Sequence, residues 1–132
     1  MKKLCALMAV VVLSIGWTAS SVMGEEPILI GVPTSLTALE GRESLRSVEM
    51  AVDEINAKGG VKVGNVKRPL RIETLDLRDS APGVPVSEAL LGMEKIITEK
   101  KPTALLVGPF RSEAMLASMP MVSKYKVPLL ET

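Results

Sequence analysis

The sequence predicts an α/β fold in which a parallel sheet of about four strands is flanked by about three helices. Two observations carry that prediction. Short apolar runs of strand length occur at residues 28–32 (Ile-Leu-Ile-Gly-Val) and 104–107 (Ala-Leu-Leu-Val), unbroken as expected for strands covered on both faces. Between them lie longer segments whose apolar residues recur at spacings of three and four, and strands alternating with helices are the signature of repeated βα units.

Ahead of this pattern stands a different kind of segment. Lys2 and Lys3 precede an almost unbroken apolar run from Leu4 to Trp17, which is the layout of a secretory signal peptide. Thr18, Ser20 and Ser21 end the run before it reaches the roughly 20 residues needed to span a bilayer. Val22 and Gly24 suit the −3 and −1 positions of a signal peptidase site, so cleavage is expected between Gly24 and Glu25, with Ser21 as the fallback. The expected organisation is a signal peptide over residues 1–24 and an α/β domain over residues 25–132, exported to the periplasm.

Taken in order, residues 28–32 form the first strand. Thr37 and Glu40 then have the spacing of a capping box that opens a helix. Leu45, Val48, Val52 and Ile55 form the apolar stripe of that helix, and Gly59-Gly60 ends it. Residues 61–69 read as a polar excursion with a turn at Gly64-Asn65. Residues 70–75 alternate, which places the second strand at or near a sheet edge.

A turn-rich loop over residues 79–85 follows, with Pro85 near a helix start. Val86, Leu90, Met93 and Ile97 give the second helix one apolar face, ending near Lys101-Pro102. Residues 104–107 are the third strand. Met115, Met119 and Val122 mark the inner face of a third helix, and Pro120 within it predicts a kink. Residues 127–130 begin a fourth strand. Because this strand has no helix after it, the chain is expected to be the front portion of a longer protein, and residues 25–132 alone are expected to be poorly stable and to bind no solute.

Composition excludes several chemistries. There is no His, and Cys5, the one cysteine, lies in the apolar leader, so histidine bases, thiolate nucleophiles and soft-ligand metal sites are ruled out beyond it. Lys and Arg number 16 against 15 Asp and Glu, scattered rather than clustered with aromatics, so no nucleic-acid partner is expected. Asp76 and Asp79 around Arg78 read as solvated turn residues, with acid/base or cation-binding work as the alternative. The loop after the first strand lacks the glycines of a pyrophosphate-binding turn, and no cofactor is expected.

Open α/β sheets bind ligands outside the carboxyl ends of their strands, where the strand order reverses. The residues there are Ser35 and Thr37 after the first strand and Arg111 and Ser112 after the third. A helix mouth favours an anion such as a carboxylate, and Arg111 is a candidate bidentate partner for it. The same positions also suit Thr37 and Ser112 as ordinary helix caps.

Three blocks carry a resemblance: Ser35-Leu-Thr, the helix from Gly41 to Gly60 that reads Gly-Arg-Glu-Ser-Leu-Arg-Ser-Val-Glu-Met-Ala-Val-Asp-Glu-Ile-Asn-Ala-Lys-Gly-Gly, and Val107-Gly-Pro-Phe-Arg-Ser. In order and spacing they resemble the beginning of a type I periplasmic binding protein, of the branched-chain amino-acid receptor group that serves ABC importers. The resemblance runs from Ile28 to Thr132. It implies a Rossmann-like lobe, here incomplete, that would close with a second lobe on an amino acid or related carboxylate and deliver it to a membrane permease.

The resemblance further implies that Ser112 holds the ligand carboxylate, with Arg111 beside it, and that Glu131 and Thr132 begin a second set of contacts. Two departures stand out. The glycine common after Leu-Thr is replaced by Ala38, which puts an aromatic wall there in doubt, and Arg111 stands where a small residue is usual, pointing to a more negatively charged solute. A sensory ligand-binding domain of the same fold is the alternative role. An exported enzyme is a third, needing catalytic residues from outside this stretch.

Overall fold

The computed structural model describes residues 26–131; the expected cleavage site at Gly24 and Glu25, and Thr132, lie outside the described residues. The elements are β1 (Ile28–Thr34), α1 (Leu39–Ala57), β2 (Val61–Val63), β3 (Val66–Arg68), β4 (Leu70–Asp76), α2 (Val86–Lys95), β5 (Ala104–Leu106), α3 (Ser112–Tyr125) and β6 (Leu129–Leu130). Four strands form one parallel sheet in the order β4-β1-β5-β6. The chain runs from β1 outward to β4, then returns to the other side of β1 for β5. Strand order therefore reverses between β1 and β5.

Helices cover both faces, which is why the central strands read as continuous apolar runs. On one face, Val48 and Val52 of α1 pack on Val32 and Val107, with Leu45, Ile30 and Ile72 at the margin. On the other, α2 and α3 bring Ala89, Met93, Ala114 and Val122 onto Leu77 and Leu105. Met93 and Leu105 are fully buried, each worth roughly 1.5–3 kcal/mol of hydrophobic transfer. β4 is the edge strand, in agreement with its alternating sequence.

The face under α1 carries a single helix. An open apolar groove of about 410 Å³ remains beside it, floored by Ile30, Leu70 and Leu106.

Several local expectations are corrected. Within the polar excursion over residues 61–69 the turn at Gly64-Asn65 stands, but the residues on either side of it form strands that were not expected: β2 and β3 pair antiparallel as a separate hairpin. α2 passes into one wide π turn over Ile96–Lys100, which carries two successive residues, Ile96 and Ile97, into the core. Lys101, left-handed at φ 50°, ends it ahead of Pro102. In α3 the inner face is Ala114, Met115, Ser118 and Val122, while Met119 is exposed. Only Leu129–Leu130 of the expected fourth strand pair with β5.

The second end of α1 is tied to the sheet by a side chain that imitates backbone. Asn56 Nδ2 donates to the Leu70 carbonyl at 2.9 Å, and the Leu70 amide donates back to Asn56 Oδ1 at 2.8 Å. This pair fixes where β4 begins. It holds the edge strand in register with β1 from Ile28 opposite Leu70 to Thr34 opposite Asp76.

Candidate functional site

At the reversal point, the loops after β1 and β5 face each other across a cleft of about 190 Å³ at the carboxyl ends of the strands. Thr34, Gly41 and Ser44 form one wall. Gly108, Pro109 and Phe110 form the other, and Glu40 and Glu131 put carboxylates at its edge. Small-molecule sites usually occupy about 300–1,000 Å³, so this cleft has the dimensions of part of a site. The larger groove beside α1 is almost wholly apolar and shares only Ser44 with this cleft.

Close approach makes the first wall. A Cβ at Gly41 would lie 2.8 Å from the Ser35 carbonyl carbon and 3.2 Å from Thr34 Oγ1, and nearer still to the Ser35 oxygen. Only glycine lets the first turn of α1 press onto the loop after β1. The helix is capped by Ala38 with no side-chain bond, so the expected Thr37–Glu40 capping box does not form. Thr37 instead joins a hydroxyl cluster, 3.1 Å from Ser35 Oγ and 2.9 Å from Ser80 Oγ, with Ser35 and Ser80 at 2.6 Å. Its hydroxyl thus pairs with Ser35 on its own loop and Ser80 on the loop after β4, while its carbonyl accepts from Arg42 of α1 at 3.2 Å.

The second wall begins with a strained turn. Val107, expected as the last residue of a strand, has φ 74°, and the Gly108 amide donates to the Leu106 carbonyl at 3.1 Å. That is the positive-φ γ-turn, rare for any side chain and worst for a β-branched one. It is held because the Val107 amide donates to the Leu130 carbonyl at 2.9 Å and its side chain is buried in the α1 core. The turn lifts Gly108, Pro109 and Phe110 into the cleft.

A third loop, after β4, clasps both walls. Asp76 Oδ1 accepts the Leu36 amide at 2.9 Å and the Arg78 amide at 3.0 Å. Asp79 Oδ2 accepts the Arg111 amide at 2.8 Å. Asp79 is fully buried, and its Oδ1 finds no partner among the described residues. The solvated-turn reading of Asp79 is therefore corrected: a bond spanning 32 residues draws it inside.

Among the described residues expected to contact a ligand, Glu131 alone lines the cleft itself, Thr132 lying outside them. Ser112 is exposed as the first residue of α3, whose N-terminus has no side-chain cap. The amides of its first turn thus lack intrahelical acceptors and point outward beside the Ser112 hydroxyl. The Arg111 guanidinium makes two contacts within the protein: Nη2 donates to the Val84 carbonyl at 2.9 Å and Nη1 lies 3.1 Å from Glu113, while its buried Nε finds no partner among the described residues. The guanidinium that suggested a more negatively charged solute is engaged within the protein.

Sequence reasoning missed Gly41, Asp79 and Phe110. Phe110, the sole phenylalanine, is half exposed on the wall after β5, so the aromatic surface is on this loop and not on the one after β1. Its signal was an unexplained aromatic in a loop leaving a buried strand. Among the described residues, no group of carboxylates is placed to hold a metal ion, and no helix is long and apolar enough to cross a membrane.

No protein-family model matches the chain. Solved structures do. A branched-chain amino-acid transporter substrate-binding protein from Streptococcus pneumoniae, in complex with isoleucine, is 27% identical with a TM-score of 0.66, the match covering 80% of this chain and 28% of that one. A type 1 periplasmic binding protein from Bordetella pertussis is 29% identical with a TM-score of 0.61, over 79% of this chain and 26% of that one. An ABC-type branched-chain amino-acid transporter protein from Rhodopseudomonas palustris, at 17% identity and a TM-score of 0.61, shares the fold over 77% of this chain and 26% of its own. This chain therefore spans about a quarter of the length of the structures it matches. Its fold is that of a type I periplasmic binding protein lobe.

Proposed function

We propose that the chain supplies one wall of an extracytoplasmic solute-binding component of an ABC importer, taking an amino acid or a related small carboxylate. The observation that carries this reading is the cleft between the loops after β1 and β5, at the one place where the sheet reverses its strand order. Its polarity suits a zwitterion. The uncapped first turn of α3 and the Ser112 hydroxyl receive the carboxylate, while Glu40 and Glu131 face the ammonium group. Phe110 and Val107 offer the apolar surface between them.

No step of chemistry is needed. Binding by closure of a second lobe over this wall would bury the solute, and the roughly 190 Å³ on this side leaves the remaining volume to that lobe. The solute carboxylate of the isoleucine-bound neighbour belongs to the same class of ligand. Of the expected contacts, Ser112, Glu131 and Thr132 stay in this proposal, whereas Arg111 and Thr37 support the loops that carry them.

Thermal-shift screening of the full-length gene product against amino acids, dicarboxylates and uncharged amides tests the reading. Amino acids should stabilise it, and Ser112→Ala should weaken that binding by about 1.5–3 kcal/mol, the worth of a hydrogen bond to a charged group, without lowering the melting temperature of the free protein. Stabilisation by no solute, or equal stabilisation of Ser112→Ala, would overturn it.

A further inference from the structure

The end of the sheet opposite the cleft carries the reverse charge. At the amino ends of β1, β4 and β5 an open groove of about 390 Å³ is lined by Arg68, Arg71, Lys100 and Lys101, with Thr103 and Glu26. Glu73 is shared between Arg71 at 3.6 Å and Lys100 at 3.2 Å. Arg68 spends its Nε on the Glu26 carbonyl at 2.7 Å, and Lys101 makes no ion pair among the described residues. Four cations thus line a groove with one acidic residue, Glu26, two of them also pairing with the neighbouring Glu73, in a protein whose formal charge is only +1.

β1, with 7 residues, separates this groove from Glu40 and Glu131 by about 23 Å. That exceeds the Debye length of roughly 8–10 Å at physiological salt, so each end presents its own field.

The geometry points to this groove as a docking surface for the phosphate headgroups of an anionic membrane. Charge selects an anionic partner, and position selects the membrane. Glu26, on the groove, is joined through residues 18–25 to the apolar run from Leu4 to Trp17. Eight residues reach at most about 28 Å. While that run lies in a bilayer, before cleavage, the folded domain is held within reach of the headgroups. Docked by its basic end, it turns the acidic cleft toward the aqueous side, where solute arrives. This inference concerns a different face from the solute cleft and stands or falls independently of it.

Flotation of the full chain with vesicles tests it, comparing pure phosphatidylcholine with phosphatidylcholine containing phosphatidylglycerol. The readout is the ratio of binding to the two, because the apolar run and Lys2-Lys3 contribute to both proteins compared. Arg68→Gln with Lys101→Gln should lower the ratio about thirtyfold, and Lys101→Gln alone, which breaks no bond, about fivefold. Lys62→Gln with Lys95→Gln removes the same charge from exposed sites outside the groove and should leave the ratio unchanged. Equal losses from both pairs, or no loss from the groove pair, overturn the proposal. So does binding of polyglutamate or of free inorganic phosphate by a chain that shows no preference for anionic vesicles.

Discussion

Replacing Gly41 by alanine sets two opposed effects against each other at the cleft. In the interior of an exposed helix, Gly→Ala stabilises by about 0.8–1.0 kcal/mol through helix propensity. Gly41 is buried in the first turn of α1, where a Cβ would lie 2.8 Å from the Ser35 carbonyl carbon and 3.2 Å from Thr34 Oγ1. Thr34 ends β1, paired with Asp76 of β4, and Ser35 begins a loop pinned by Asp76 and by the Ser35–Ser80 bond, so neither atom yields readily. Forcing a methyl into such packing costs about 1–3 kcal/mol, and the contact here is with backbone, which puts it at the upper end. Repulsion wins. Gly41→Ala is expected to be net destabilising by about 1–2 kcal/mol and to open the cleft between α1 and the loop after β1. Urea denaturation followed by circular dichroism measures the first effect. Gly92→Ala is the comparison, since its Cβ would meet only the flexible end of Leu77 and, second, of Leu75. A neutral or stabilising Gly41→Ala would refute the claim that close approach shapes this wall.

Two further outcomes follow from the same geometry. Asp79→Ala strips the Arg111 amide of its acceptor and should destabilise by about 1–3 kcal/mol, whereas Asp79→Asn keeps an acceptor and should lose clearly less; equal losses in chemical denaturation would show that Asp79 does not act through this bond. Pro120 lies inside α3, exposed, where its ring denies the Leu116 carbonyl its bond, so Pro120→Ala should stabilise by up to about 3 kcal/mol, read as a higher denaturation midpoint.

The sheet was legible in the sequence because burial on two faces leaves a local trace. β1 and β5 are apolar throughout, β4 alternates, and α1 carries its stripe at Leu45, Val48, Val52 and Ile55. The hairpin was not, because β2 and β3 are 3 residues each and exposed, with no periodicity long enough to register. Val107 misled for a physical reason: a β-branched residue after two leucines reads as strand, and it is the bond to Leu130, far along the chain, and burial against α1 that hold it at positive φ. Asp79 misled similarly, since Asp between Arg and Ser reads as a solvated turn until Arg111 is brought against it.

Sequence reasoning named the two loops that the structure brings together across a cleft; what it could not supply was the origin of that cleft's rigidity. Neither wall is held by its own helix alone: Arg42 of α1 donates to the Leu36 and Thr37 carbonyls at 3.1 and 3.2 Å, and the remaining ties come from outside the helix. The wall after β1 is fixed by Asp76 and Ser80, and the wall after β5 by Asp79 and, through Arg111, by the Val84 carbonyl. All four belong to β4 or the loop after it, and none lines the cleft. The third loop is therefore the frame of the site although it contributes no surface to it. Its bonds are made within the protein, so in the proposed binding role the order they impose on both walls would not be an added entropic cost of binding. Arg111 is itself a strut of that frame: its side chain ties the loop after β5 to the Val84 carbonyl, and that loop leads into the first turn of α3 and Ser112.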